Sequence, residues 1–437
     1  MLLGLDIGTM KIAAALVDDE RRVRAVASLP HGARLLAPDG RAEQDAAVLE
    51  ETAWRCVTAL PAELRKEARA VGLTGQMHGA LLVDDAGQAV SPLITWQDGR
   101  CNEAFLRNLQ ARTGYRLSSG YGCATLAWLR EHAALPATAA GACTIHDYLT
   151  ARLCGAARPV TDPTDAASWG VFDLRALAWD FDAVERASID RRLLPEVRPC
   201  GNLAGHVDAE IAGQLGIPAG VPVAVAIGDN QASLLATLRE PEHELALTLG
   251  TGGQLAAVAP FSGMAGATYE YRPYPGSRYI ITAAGLCGGA AWVWLAEAVK
   301  AWLRDFNLPC PTDDALYEKL NELGLAAESE LSVHPHFLGE RHDPALRGRI
   351  DGIDLHNFTP GPLARGLARA IMTNLRDMLP PKAYAGRNRL LGSGNALRRN
   401  PLLQRMAQEV FGLPLVLTEG QEEAAAGAAI NAHGLNE

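Results

Sequence analysis

A Gly-Thr pair occurs twice in this chain in the same apolar setting, and this repeat restricts the fold more than any other feature. The copies are LDIGT at residues 5–9 and TLGTG at residues 248–252, each followed by a second apolar run. Each copy predicts two strands joined by a tight turn. Because glycine permits positive φ, successive N–H groups of such a turn can point at one anion. Two such turns across a cleft would hold a phosphate chain, although most Gly-Thr hairpins bind nothing.

The rest of the chain alternates between helical and strand patterns, which is typical of an α/β protein. Residues 44–60 have helical spacing, residues 71–73 end a strand pattern, and residues 223–227 form an apolar run of the kind buried on both faces of a sheet. At 437 residues the chain exceeds what one hydrophobic core usually supports. We therefore predict two domains, 1–240 and 241–437, divided at a polar segment that contains a proline.

Charge and cysteine content exclude several classes of partner. The net charge is −10 at pH 7, which argues against nucleic acid or an anionic membrane as the main partner. The eight cysteines form no CxxC pair and no His/Cys metal spacing, so we expect reduced thiols in the cytoplasm. No apolar run has the length of a membrane span. An anionic ligand must therefore be bound by local groups.

Two aspartates lie where chemistry is expected. Asp6 directly precedes the first Gly-Thr turn and can hold Mg²⁺ beside phosphate oxygens. Asp229 ends the second buried strand pattern, where the ligands of α/β sheets usually gather. The alternative for each is that its carboxylate only caps a turn or a helix.

Two polar segments have the residue types that bind a polyhydroxylated molecule. TGQMHG at residues 74–79 follows a strand and offers an amide and an imidazole, although a lone histidine is often purely structural. TWQDGR at residues 95–100 offers an indole for sugar C–H groups and a carboxylate for hydroxyls. Its alternative is a surface turn with Trp96 in the core.

Two further glycine-rich turns lie between a strand and a helix. LLGSGN at residues 390–395 precedes a helix expected from about Pro401, and residues 285–289 precede a helix expected at 292–300. Such turns let a flat group such as adenine lie against the backbone, but each alone is unspecific.

Taken in order, these motifs resemble the FGGY family of carbohydrate kinases over nearly the whole chain. The resemblance implies an α/β fold of two actin-like, ribonuclease H-like ATPase domains with a cleft between them, in the superfamily of sugar kinases, hexokinase and Hsp70. Within that family, residues 94–101, 122–125, 144–148, 167–170 and 392–394 resemble the sedoheptulokinase branch most. The family motifs lie at residues 6–9, 76–79, 96–100, 147–149, 162–167, 194–195, 228–232, 250–252, 338–341, 392–394 and 423–429.

The resemblance also implies a role for each matching residue. The N-terminal domain would bind the sugar and the C-terminal domain the nucleotide, with ATP and Mg²⁺ as cofactors. Asp229 would be the general base, and Asp6 and Asp229 would hold the metal. The implied sugar contacts are Gln76, Met77, His78, Trp96, Asp98 and Asn230. The implied ATP contacts are Gly8, Thr9, Gly250, Thr251, Gly252, Gly253, Gly289, Gly392, Gly394 and Asn395.

The implied reaction is phosphorylation of a ketose by ATP, with sedoheptulose giving sedoheptulose 7-phosphate as the first choice. Another ketose or polyol, such as xylulose, is the alternative substrate. A protein of the same fold that binds sugar and nucleotide as a sensor, without catalysis, is the alternative of a different class. Because Asp6 and Asp229 are both present, the sequence favours the enzyme. We expect a monomer or a homodimer.

Overall fold

The computed structural model describes residues 1–37, 40–263, 265–418, 420 and 422–436, and it divides the chain into two compact units. The first unit comprises Met1–Thr237, Arg272–Arg278 and Gly420–Glu437. The second comprises Leu238–Tyr271 and Tyr279–Glu419. Both alternate strands with helices, so the predicted α/β class is confirmed.

The first unit holds a central sheet with small two-stranded sheets beside it. Its strands are β1 Leu2–Ile7, β2 Lys11–Val17, β3 Val23–Pro30, β4 Glu43–Gln44, β5 Ala70–Gly75, β6 Leu81–Val83, β7 Leu93–Ile94, β8 Gly141–Cys143, β9 Val160–Thr161, β10 Phe172–Asp173, β11 Ala178–Trp179, β12 Glu196–Val197, β13 Leu203–His206, β14 Pro222–Ala224 and β15 Ile227–Gly228. Its helices up to residue 237 are α1 Ala46–Thr58, α2 Ala62–Arg65, α3 Glu103–Thr113, α4 Gly122–Glu131, α5 Ile145–Leu153, α6 Pro163–Ser168, α7 Phe181–Arg186, α8 Ala209–Leu215 and α9 Asp229–Thr237.

The central sheet has seven strands in the order β13-β14-β5-β1-β2-β3, with β15 also paired to β5. β1 and β2 are antiparallel across residues 8–10, so the first Gly-Thr copy is the predicted strand, turn and strand. β1 runs parallel to β5. Leu3, Leu5 and Ile7 of β1 pack in one core with α1 and α5, which places a helical layer on that face. The predicted run at 223–227 is divided into β14 and β15, because the Val225 N–H leaves the sheet and donates to the Asn202 carbonyl.

The second unit repeats this strand pattern. Its sheets comprise β16 Glu244–Leu249, β17 Gly253–Ala259, β18 Glu270–Tyr274, β19 Arg278–Gly285, β20 Ser332–His334, β21 Arg349–Asp351, β22 Arg389–Ser393 and β23 Leu415–Leu417, of which residues 272–274 and 278 are counted with the first unit. Its helices are α10 Gly289–Asp305, α11 Asp313–Ala326, α12 Pro360–Met378, α13 Asn395–Arg398 and α14 Pro401–Phe411.

The main sheet of the second unit has the order β18-β19-β17-β16-β22-β23. β16 and β17 form the second Gly-Thr hairpin, and β16 runs parallel to β22 as β1 does to β5. β22 and β23 are parallel as β5 and β14 are. The same order of antiparallel and parallel pairs in both units indicates an internal duplication of the fold.

The last helix, α15 Glu423–Asn431, packs within the first unit. A Cβ added at Gly4 would overlap the backbone of Ala425, and one at Gly72 would overlap that of Ala428. This close contact is possible because small residues face each other. The structure thus assigns α15 to the first unit, whereas the sequence analysis included it in the domain 241–437. The chain passes to the second unit at Thr237 and Leu238, three residues before the predicted boundary, and the 272–278 segment also belongs to the first unit. Among the described helices, none has the length and apolarity that crossing a membrane requires.

Candidate functional site

Asp6 and Asp229 lie at neighbouring strand ends in the first unit. Ile7 at the end of β1 pairs with Gly75 at the end of β5, and Gly75 pairs with Gly228 at the end of β15. Asp229 follows β15 directly and is the first residue of α9. The sheet therefore brings the two predicted aspartates to one edge, where parallel strands end.

The electrostatics of these two carboxylates fit a cation. Burial raises the pKa of Asp6 to about 8, with further contributions from the charges of Asp229 and Glu422, and Lys11 opposes the shift. Burial also raises the pKa of Asp229, against the opposing effects of His146, the Asn230 N–H and Arg272. The Asp6 Oδ1 atom is buried without a hydrogen-bond partner in the described part of the chain. The unpaired oxygen of Asp6 and the carboxylate of Asp229, whose charges repel each other, match the oxygen ligands that Mg²⁺ prefers.

The segment after β5 is held rigidly. The Gln76 Nε2 group donates to Gln44 Oε1 at 2.8 Å, while Gln76 Oε1 is buried with no partner among the described residues. His78 has a φ of 74°, donates from Nδ1 to the Ser168 carbonyl at 2.7 Å and stacks on Tyr121 at 4.5 Å. Because a carbonyl only accepts, this bond assigns the proton of a neutral ring to Nδ1 and leaves Nε2 as an acceptor.

Met77 is buried, and its thioether lies where a Cβ of Gly228 would be, so it packs under the turn that leads to Asp229. Asn230 follows Asp229 in the first turn of α9 and is partly buried. Both residues therefore adjoin the predicted base, in the region where the sequence placed the sugar contacts.

The indole of Trp96 is close to the first Gly-Thr turn. Its Nε1–H donates to Thr9 Oγ1 at 3.1 Å, and the side chain is 45% exposed. The alternative that Trp96 is a core residue is therefore wrong. The Thr9 carbonyl in turn accepts from Gln44 Nε2 at 2.9 Å, which fixes the backbone of the turn beside Gly8.

Asp98, which was predicted to accept from sugar hydroxyls, has both carboxylate oxygens hydrogen-bonded to protein donors. Its Oδ1 accepts from the Arg100 N–H at 3.0 Å and from Arg100 Nε at 2.7 Å. Its Oδ2 accepts from the Ala42 N–H at 2.9 Å and from Arg100 Nη2 at 3.0 Å. The carboxylate is fully buried, so these bonds favour a role in shaping the turn that carries Trp96.

In the second unit, two glycine turns are joined by backbone hydrogen bonds. The Gly288 N–H donates to the Thr251 carbonyl at 3.0 Å, the Gly289 N–H to the Gly250 carbonyl at 2.8 Å and the Ala290 N–H to the Thr251 carbonyl at 2.9 Å. Gly289 was predicted to border the nucleotide, and the structure adds that its N–H is used to hold the other turn. We call residues 250–253 and 288–290, with these three bonds, the glycine clasp.

A cavity of about 760 Å³ opens beside the glycine clasp, within the second unit. Gly250, Thr251, Gly289 and Asn395, four of the predicted ATP contacts, line it. Gly253 and Gly392 lie in β17 and β22, where their missing Cβ atoms make room for leucine side chains. Gly252 and Gly394 are turn residues whose Cβ atoms would collide with neighbouring carbonyl groups. Besides Gly250, Thr251, Gly289 and Asn395, the cavity is lined by Ala290, Trp292, Val293, Asp314, Tyr317, Glu318, Asn321, Ala396, Arg399, Asn400, Pro401 and Leu403.

Two of these lining residues have buried donors without a protein partner in the described chain, and the sequence did not identify them. These donors are Trp292 Nε1 and Asn400 Nδ2. Asn400 also caps α14, accepting from the Leu403 N–H at 2.9 Å. The Asn-Pro pair at 400–401 signals only a helix start, so nothing in the sequence indicated a ligand contact. Unpaired buried donors are costly, and a bound ligand with acceptor atoms would satisfy them.

A buried polar cluster behind Asp229 was also missed. His146 Nε2 lies 2.8 Å from Asp165 Oδ2, and both side chains are fully buried. Asp147 and Asp162 are buried beside them, and burial raises the pKa of Asp147 to about 8 and that of Asp162 to about 7. The sequence signals for this cluster were the family motifs at residues 147–149 and 162–167, which contain its three aspartates but indicate no contact between them.

Carbohydrate kinases are among the known proteins similar to this chain. Residues 1–236 match the N-terminal domain of the FGGY family of carbohydrate kinases. The chain is 33% identical to the sedoheptulokinases of Mus musculus and Homo sapiens over 473 aligned positions, which cover 98% of this chain and 96% of each relative. It also resembles the crystal structure of xylulose kinase from Rhodospirillum rubrum, with a TM-score of 0.85 and 27% identity, covering 99% of this chain and 89% of the other.

Proposed function

Because the chain belongs to the FGGY family of carbohydrate kinases, we propose that it phosphorylates a ketose with ATP and that this ketose is sedoheptulose. Kinases of this family use ATP. The observation that supports the substrate is the 33% identity to two sedoheptulokinases across 98% of the chain. Xylulose is the second candidate, because a xylulose kinase structure is similar over 99% of the chain.

Asp229 is our candidate for the group that orients the acceptor hydroxyl and takes its proton. It lies at the carboxyl edge of the first unit's sheet, beside Met77 and ahead of Asn230. Phosphoryl transfer has a loose transition state in most analyses, so its catalysis is chiefly positioning and charge stabilisation. Correct positioning can contribute about 7–11 kcal/mol to the lowering of the barrier. The raised pKa of Asp229 also makes its carboxylate a stronger base than a solvated one.

The side chains around Asp229 suit a polyhydroxylated acceptor. Gln76 Oε1 has no protein partner among the described residues and can accept from a sugar hydroxyl. His78 presents an acceptor nitrogen from a ring fixed by Ser168 and Tyr121. The exposed indole of Trp96 can pack against sugar C–H groups. We assign the sugar to this region of the first unit.

The cavity in the second unit is our candidate nucleotide site. Its volume of about 760 Å³ is in the range of small-molecule sites. The turn of Gly250 and Thr251 lies at its wall, and the unpaired donors of Trp292 and Asn400 offer contacts to acceptor atoms of a base or ribose. We propose that the glycine clasp forms the phosphate end of this site.

Asp6, with Asp229, is our candidate for holding Mg²⁺, which would neutralise charge on the phosphates. We expect Asp6→Asn to raise the Mg²⁺ concentration for half-maximal turnover by about tenfold or more, because an amide oxygen lacks the charge of a carboxylate. The measurement is a Mg²⁺ titration of ADP release at fixed ATP. Asp45→Asn is the control, because Asp45 caps α1 and asparagine caps equally well. An unchanged Mg²⁺ requirement in Asp6→Asn would remove Asp6 from the metal site.

The substrate proposal predicts the ranking of acceptors in a direct assay. ADP release by the purified protein is measured with ATP, Mg²⁺ and, in turn, sedoheptulose, xylulose, ribulose and glycerol. We expect the highest kcat/KM with sedoheptulose, by about tenfold or more, since hydrogen-bonding sites discriminate strongly against partners that leave polar groups unpaired. A preference for xylulose would replace the substrate and keep the kinase mechanism. ATP binding with no turnover of any of these acceptors would support a sensor instead.

A further inference from the structure

A buried carboxylate outside the cavity accepts a hydrogen bond from the turn at residues 285–289, which contains part of the glycine clasp. Glu340 is 1% exposed and follows β20 in the second unit. Its Oε2 accepts from the Leu286 N–H at 3.2 Å, and its Oε1 accepts from Asn374 Nδ2 at 2.9 Å. His336 Nδ1 lies 3.5 Å from the same Oε1. Full burial of a carboxylate is costly unless its hydrogen bonds are made, so this geometry is strongly specified.

The turn that carries Glu340 is itself rigid. Gly339 has a φ of 73°, and a Cβ there would lie 2.7 Å from the Pro344 carbonyl oxygen. The Glu340 N–H donates to the Asp343 carbonyl at 3.0 Å, and the Asp343 N–H returns a bond of 3.1 Å to the Glu340 carbonyl. The Glu340 side chain therefore starts from a fixed backbone.

A second set of contacts connects this turn to α10. Phe337 stacks on Trp294 of α10 with a ring separation of 4.1 Å. The thiol of Cys287, one residue after Leu286, lies against the backbone of Phe337 and Leu338. The two turns are thus also joined after Leu286 in the chain.

The bonds of Glu340 continue into the cavity wall. Leu286 is two residues before Gly288, where the three hydrogen bonds of the glycine clasp begin. Those bonds hold the carbonyl groups of Gly250 and Thr251, and both residues line the cavity. Gly285, the last residue of β19, is in contact distance of Asn374 and Glu340, with a Cβ position 3.4 Å from Asn374 Nδ2.

We propose that Glu340, together with Asn374, is a positioning pair that sets the glycine clasp for binding of the nucleotide phosphates. Neither residue lines the cavity, so the pair acts through Leu286 and the clasp rather than by contact with the nucleotide. This inference rests on the proposed nucleotide site in the second unit.

The test compares Glu340→Ala with Glu244→Ala. Glu244 is a buried carboxylate at the start of β16, the end of that strand away from the glycine clasp. We expect Glu340→Ala to raise KM for ATP and Kd for ADP by about 10- to 100-fold, with a smaller change in KM for the sugar, because misplacement of a binding group has effects of that size. Glu340→Gln should restore most of the loss, since its carbonyl can accept from Leu286. Glu244 is the control because it is 1% exposed and accepts from the Arg239 and Glu240 N–H groups.

Glu244→Ala is expected to lower stability to a similar extent while leaving KM for ATP near the wild-type value. Asn374→Ala gives a second measurement on the pair if Glu340→Ala does not fold, and it should raise KM for ATP in the same direction. An unchanged KM for ATP and Kd for ADP in folded Glu340→Ala or Asn374→Ala would overturn the inference. An equal rise in Glu244→Ala would overturn it too, because the effect would then be one of stability. If wild-type protein does not bind ADP, the proposed function itself fails.

Discussion

Asp229→Asn is expected to lower kcat for ketose phosphorylation by about 10²- to 10⁴-fold and to leave Kd for ADP close to the wild-type value. The size of the loss is that of removing a positioned general base. The amide has nearly the shape of the carboxylate but cannot take the hydroxyl proton. The nucleotide cavity is lined by residues of the second unit alone, so its affinity for ADP should not change. Steady-state kinetics give kcat, and calorimetric titration gives the Kd for ADP.

Asp208→Asn is the matched control for this variant. Asp208 caps α8 by accepting from two backbone N–H groups, and asparagine is an equally good cap. Wild-type kcat in Asp208→Asn would show that loss of one aspartate charge is not itself harmful. Substantial turnover by Asp229→Asn would mean that the base is another group, and His146 would be the next residue to test because it is a titratable side chain within electrostatic range of Asp229.

The parts of the fold that were predictable are those determined by local pattern. Both Gly-Thr hairpins were predicted because a period of strand, turn and strand is visible within a few residues. Asp6 and Asp229 were chosen as candidates for a related reason: a polar residue at the end of a buried strand is unusual enough to stand out.

The parts that were not predictable depend on contacts between distant segments. Asn400 and Trp292 meet at one cavity although they lie in separate helices or caps. The hydrogen bonds from Ala42 and Arg100 to the Asp98 carboxylate could not be predicted from the sequence, because Ala42 is distant from Asp98 along the chain. Glu340 was recognisable only as part of a motif, since its bond to Leu286 spans more than fifty residues of chain.

The duplication also explains why the two hairpins have different chemistry. Asp6 pairs with Thr74 of β5 in the first sheet, and Thr248 pairs with Ser393 of β22 at the matching position of the second. Thr248 Oγ1 and Ser393 Oγ are 2.8 Å apart and bond to each other. The first copy therefore keeps a carboxylate with an unpaired oxygen, whereas the second copy closes its position with two hydroxyls. Only the first hairpin has a group suited to a metal ion.

Gly72→Ala is expected to lower the free energy of unfolding by about 3 kcal/mol or more. The added Cβ would overlap the carbonyl group of Ala428, which is backbone of α15 and cannot rotate away. α15 would then separate from β5, and buried residues such as Ala425 and Ile430 would become exposed. Urea-induced unfolding measures the loss, and hydrogen exchange in α15 shows where it occurs.

Gly213→Ala is the control that separates this steric effect from the general consequence of replacing a glycine. Gly213 lies in α8, and a Cβ there would meet nothing within 4 Å. Alanine is the better helix former, so this variant should gain about 0.5–1 kcal/mol. A Gly72→Ala protein as stable as the wild type, with unchanged exchange in α15, would contradict the packing of α15 on β5. The two substitutions are expected to change the free energy of unfolding in opposite directions. The backbone of α15 fills the space beside Gly72, whereas no other element of the described chain lies within 4 Å of the Cβ position of Gly213.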